Sequence, residues 1–160
     1  MTMRANAELT PITGDARTIV LSLKPRWVDA IESGEKVYEF RRRVPRQPPP
    51  FPVVIYATSP RCAIVATAWV SEVRQLPPGA LLEHARSGVG GEPEREVLDY
   101  FRGLQSGFAL RIERFARLPA PLELSALRLL SFVPPQSFAY LDSFPRVGNI
   151  LALSGRTDAG

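Results

Sequence analysis

The stretch GEKVYEFR, residues 34–41, decides how this chain is read, because one pattern ends in it and another begins. Upstream, Pro25 suits a first helical position, Trp27, Val28 and Ile31 fall on one helical face, and Gly34 is placed to cap the C-terminus. Downstream, residues 36–42 read as a strand. In a strand Glu39 and Arg41 lie two apart and share a face, close enough for a charge-assisted pair, while Tyr38 and Phe40 take the other. Lys36, three residues before Glu39, falls on the opposite face in regular pleating. A bend or bulge at the strand start would bring the three together, and spacing alone does not choose between the two.

Before the helix, TIVLSL (residues 18–23) is β-branched and apolar, a buried strand. After the motif come Arg42, Arg43 and Arg46, interleaved with Pro45, Pro48, Pro49, Pro50 and Pro52, which lack ladder donors and mark an extended surface connector. The same loop is a candidate ligand for a protein partner. VVIYATS and CAIVATAWVSEV then read as a hairpin about the Ser59-Pro60-Arg61 turn. Two short amphipathic helices follow, ALLEHARSG and EPEREVLDYFRG, the second with Val97, Leu98 and Phe101 inward, joined by the flexible GVGG of Gly88–Gly91. GFALRIERF alternates as a half-exposed strand, LELSALRLL is helical or irregular, and PPQSFAYL is a rigid turn leading to two aromatics.

The chain has 160 residues, 45% hydrophobic and 22% charged, which suits one globular core of about 100–200 residues. Residues 1–16 read as a flexible N-terminal arm, 17–153 as a single domain and 154–160 as a flexible tail. No run approaches the roughly 18 apolar residues of a membrane span, and the N-terminus lacks the order of a signal peptide, so a cytoplasmic protein without membrane attachment is expected. Of the formal charge of +4, three units arise between Lys24 and Arg46, where seven basic residues meet four acidic ones. A local basic surface of this kind fits phosphate or nucleic acid, or a solvated face.

The chemistry left out is informative. His84 is the lone histidine and Cys62 the lone cysteine, so neither a metal centre nor a Ser-His-Asp or Cys-His machine is expected, and no cofactor. His84 reads as a solvated helix residue, Cys62 as a small residue of a buried strand.

The array Gly34-x-Lys36-x-x-Glu39-x-Arg41 resembles the GxKxxExR signature of the ASCH domain, a branch of the PUA-like fold. The likeness extends through LSLKPRWVDAIESGEKVYEFRRR, VVIYATSP, AIVATAWV, GFALRI and PPQSFAYL, from Thr18 to Leu141. It implies an α+β fold, a PUA-like mixed β-barrel with helices closing one side, and a cleft between barrel and first helix. It also implies RNA or nucleotide chemistry. Lys36 and Arg41 would meet phosphate or a base edge, Glu39 would orient them, and Thr58, Ser59, Gln136 and Ser137 would be cleft neighbours. Arg42, Arg43 and Arg46 would track phosphates.

Two function classes follow. The first is a module that binds single-stranded RNA or a nucleotide. The second is an enzyme with Lys36 and Glu39 as catalytic groups, either a metal-independent ribonuclease or an amidohydrolase of the N4-acetylcytidine type. Amidohydrolases of the family place a threonine nucleophile where this chain has Glu39, which counts against acyl-enzyme chemistry. A buried carboxylate can serve as a base, but a neighbouring Arg41 favours its ionised form. The two classes separate on whether Lys36 and Glu39 converge with a hydroxyl such as Thr58, Ser59 or Ser137 in one pocket.

Overall fold

The computed structural model describes residues 16–86 and 94–154. The expected arm, apart from residue 16, the Gly88–Gly91 link and residues 155–160 of the expected tail lie outside the described residues. The chain runs β1 (Ile19–Leu23), α1 (Pro25–Ser33), β2 (Tyr38–Arg41), β3 (Phe51–Ala57), β4 (Ala63–Leu76), α2 (Pro78–Arg86), α3 (Glu94–Tyr100), β5 (Gly107–Glu123), α4 (Leu124–Leu129), β6 (Phe138–Tyr140) and α5 (Pro145–Ser154). The six strands form one mixed sheet in the order β2-β5-β4-β3-β1-β6, with β1 and β3 parallel and the other pairs antiparallel. This is an α+β, barrel-like fold.

Strand β1 is apolar almost throughout because it is buried on both faces. Its odd positions Ile19, Leu21 and Leu23 join Phe51, Val53, Ile55, Leu110 and Ile112 in the barrel interior, which α1 closes with Val28 and Ile31. Burying each of those two helix side chains contributes roughly 1.5–3 kcal/mol. On the outer face Val20, Val54, Tyr56 and Ile64 meet Leu127 of α4 and Val147 of α5. A third cluster, Phe40 and Ala109 with Leu81, Val97 and Phe101, seats α2 and α3 on the β2–β5 end of the sheet. Leu98, expected inward, is 44% exposed. Gly107 is required here, since a Cβ would stand 2.2 Å from the Phe101 ring.

Two proline placements explain strand limits that differ from those expected, β3 starting two residues earlier and β5 running longer. Pro52 lies within β3, one residue before Val53, where pairing with β1 begins, so its missing N–H faces no parallel neighbour. Pro119 and Pro121 lie where β5 loops out between the Arg117↔Ala66 and Leu122↔Ile64 pairs. The connector after β2 is tied down by Gln47, whose side chain accepts from the Arg17 N–H at 2.9 Å and donates to the Arg17 carbonyl at 2.7 Å.

Cys62 corrects the expectation of a buried strand residue: it is half-buried in the β3–β4 turn with a left-handed φ of 50°. The Tyr56 hydroxyl is pushed above its usual pKa by burial, and its hydrogen bond to Cys62 adds to the shift. His84 is half-buried too, with Nδ1 2.9 Å from the Ala80 carbonyl and its ring edge-on to Tyr38 at 5.0 Å.

Candidate nucleic-acid interface

Helix α1 ends as the sequence requires: Gly34 adopts φ 83° and its N–H donates to the Ile31 carbonyl at 3.2 Å. The chain then turns back, and the Lys36 N–H donates to the Ala30 carbonyl at 3.0 Å. Lys36 therefore precedes the pleated strand, which starts at Tyr38, and the alternation rule does not govern it. Its ammonium lies 3.6 Å from Glu39 Oε2, and Arg41 Nε lies 3.3 Å from Glu39 Oε1. The three side chains are only 7, 9 and 8% exposed, in that order. Two cations thus share one buried carboxylate. Glu39 pairs with Leu110 across the sheet, so the trio faces the barrel interior.

Arg41 also closes the sheet on itself. From edge strand β2 its Nη2 donates to the Ser22 carbonyl in β1, and Nη1 donates to the carbonyl and hydroxyl oxygens of Ser137, at 3.3 and 3.2 Å, just before β6. One guanidinium therefore spans the gap between the two ends of the strand order.

A cleft of about 650 Å³ opens above this floor, within the size range of ligand sites. Of the residues expected there, Glu39, Arg41, Thr58 and Gln136 line it. Lys36 sits behind the lining, its ammonium 4.9 Å from the Trp27 ring centre and 4.8 Å from that of Phe40. The Ser137 hydroxyl is held under Arg41. Arg42 is outside the lining, donating through Nε to the Tyr100 carbonyl at 2.6 Å and lying over the Tyr100 ring. Arg43, Arg46 and Ser59 are exposed on loops outside the lining.

Sequence reasoning missed half of the cleft. Lys24, Arg26 and Trp27 line it from the start of α1, and Trp27, assigned to the core face, is only half-buried. From α3 come Glu96, Asp99 and Tyr100. Their i, i+3, i+4 spacing puts them on one helical face, which was a usable signal, but nothing in the spacing aimed that face at α1. Among the described residues no group of three or more His, Cys, Asp or Glu side chains could hold a metal ion, and no helix is long and apolar enough to cross a membrane.

A curled mixed sheet closed by an arginine, with a cleft of mixed charge beside the first helix, defines the class of this protein as a barrel-like α+β domain with a polar cleft. No protein-family model matches the chain. A relative from Zymomonas mobilis described as an ASCH domain-containing ribonuclease is 34% identical over 134 residues, covering 79% of this chain and 86% of its own. The crystal structure of ASCH from the same organism superposes with a TM-score of 0.74 at 28% identity, over 86% of this chain and 95% of that one. A serine-to-alanine variant of that protein gives 0.75 at 28% identity, over 87% and 97%. The chain belongs to the ASCH domain family.

Proposed function

We propose that this protein binds single-stranded RNA in the cleft floored by Glu39 and Arg41, with Lys36 directly behind them. The observation that carries the reading is the base of the cleft: Glu39 and Arg41 line it, and Lys36 backs them, so that two buried cations share one carboxylate there. Such a base suits a phosphodiester, whose negative charge would be held by charge-assisted hydrogen bonds in a place where water screens it little. Arg43 and Arg46, exposed on the connector after β2, extend the positive surface along which further phosphates would run. RNA is favoured over a free nucleotide by the ribonuclease description of the 34% identical relative.

That description also favours a second reading, in which bound RNA is cleaved. Lys36 and Arg41 would stabilise charge developing on the phosphorus-bound oxygens, and the Thr58 hydroxyl in the cleft lining stands available for hydrogen bonding to the reacting strand. Glu39, held between two cations, orients them in either reading.

The test is incubation of wild type and Lys36→Ala with end-labelled single-stranded RNA in EDTA, read by mobility shift and on a denaturing gel, with folding checked by circular dichroism. Wild type is expected to bind with an affinity that falls steeply with salt, and folded Lys36→Ala to bind about tenfold more weakly. Cleavage by wild type that vanishes in the variant would select the nuclease reading. Absence of binding at low salt would overturn both.

A further inference from the structure

The residues that the two flanking helices turn to the cleft carry opposite charge. From the α1 side come Lys24, Arg26 and Trp27, the Arg26 guanidinium lying over the Trp27 ring; from α3 come Glu96 and Asp99, with Tyr100. Where the sides meet, Arg26 Nη2 donates to Glu96 Oε2 at 2.9 Å, and Asp99 Oδ1 accepts from Arg102. The second oxygens, Glu96 Oε1 and Asp99 Oδ2, accept no hydrogen bond from the described residues. The α3 side therefore presents open carboxylate acceptors beside Tyr100, a residue 37% exposed whose ring also lies under the Arg42 guanidinium.

A phosphate in direct contact with these carboxylate oxygens is disfavoured, because like charges repel where the cleft walls limit screening. The group that satisfies it is planar, uncharged and rich in N–H donors. A carboxylate accepting from an exocyclic amino group is a recurrent way of reading a base, and an aromatic ring supplies a face on which the base can stack.

We infer that α3 is the base-reading side of the cleft, and that Asp99 and Glu96 select bases with an amino group on their pairing edge. This rests on the reading of the cleft as an RNA site. The strand's phosphates follow Lys24, Arg26 and the cationic floor, and a base turned toward α3 donates its amino hydrogens to the carboxylates. Cytosine and adenine fit. Uracil places its O4 carbonyl against a carboxylate and is rejected. A duplex is rejected as well, since its second backbone would lie against α3 and its bases are already paired.

The experiment measures fluorescence anisotropy of labelled oligocytidylate, oligoadenylate and oligouridylate of equal length at one low salt concentration, in the cold, with oligomer integrity checked on a gel. Wild type is compared with the double variant Glu96→Gln, Asp99→Asn. Wild type should bind the cytosine and adenine oligomers about five- to tenfold more tightly than the uracil oligomer. The double variant should bring the three within about twofold, chiefly by gaining affinity for uracil, since its amides can donate to O4 as well as accept. Equal binding of the three by wild type, or a preference that survives intact in the double variant, overturns the inference and leaves the RNA reading standing. Failure of wild type to bind any of them overturns the RNA reading and the inference with it.

Discussion

Helix α1 has an arginine–carboxylate cluster on each of two sides. Toward the cleft, Glu39 is shared by Lys36 and Arg41, all three less than a tenth exposed. Toward β5, Arg117 donates to Asp29 at 2.9 Å and to both oxygens of Glu32 at 3.0 Å, with side chains 39–73% exposed. The exposed cluster has the shorter distances and the better hydrogen bonds. By geometry alone it would be ranked the stronger. Burial reverses the ranking, because breaking a desolvated set strands a charge away from water, whereas a surface pair hands its charges back to solvent.

The largest effect is expected at Arg41. Arg41→Ala removes one of the two cations on Glu39 and also the bonds to Ser22 and Ser137 that close the sheet, so urea unfolding should report a loss of about 3–5 kcal/mol. A loss below about 1 kcal/mol would place the buried trio on a par with a surface pair and break the contrast. Arg117→Ala should be far milder, lowering Tm by no more than about 3 °C, although its hydrogen bonds hold the Glu32 carboxyl below its usual pKa. A drop several times larger would mean that the exposed cluster, too, fixes α1 in place.

The smallest effect concerns Arg17, which pairs with Asp142 at 2.6 Å and lies over the Tyr140 ring. The hydrogen bond from Arg17 holds the Asp142 carboxyl below its ordinary value. The folded form then binds fewer protons than the unfolded chain, so the stabilisation is complete above the ordinary carboxylate pKa and disappears as pH falls through the folded value. Asp142→Asn should have a slightly lower Tm than wild type near neutral pH. That difference should close between about pH 5 and pH 2 in a series of thermal melts. A gap that persists at pH 2 would assign the effect to something other than this carboxylate.

What the sequence disclosed follows the range of the forces involved. Pro25 and Gly34 bracket α1 through backbone geometry that belongs to those residues alone, so both ends were legible. The Glu39–Arg41 pair was legible for a similar reason, since a strand fixes which residues share a face. Lys36 was not, because its position depends on one backbone hydrogen bond to Ala30 that takes it out of the pleat. The full length of β5 was hidden by Pro119 and Pro121, which ordinarily end strands and here occupy a bulge. The α3 side of the cleft depended on how Val97 and Phe101 seat that helix on Phe40 and Ala109, a matter of packing between segments far apart in sequence.

Arg41 belongs at once to the architecture and to the site. The residue that floors the cleft also joins the first and last strands of the sheet order, so on the proposed reading a change there would alter recognition and foldedness together. Helix α3 is mounted differently: the groups it turns to the cleft, Glu96 and Asp99, are exposed and carry none of the barrel closure. The molecule thus separates a part that cannot vary from a part that can. If α3 reads the base as inferred, new ligand preferences would be accessible by altering α3 alone, with the barrel left as an unchanging chassis.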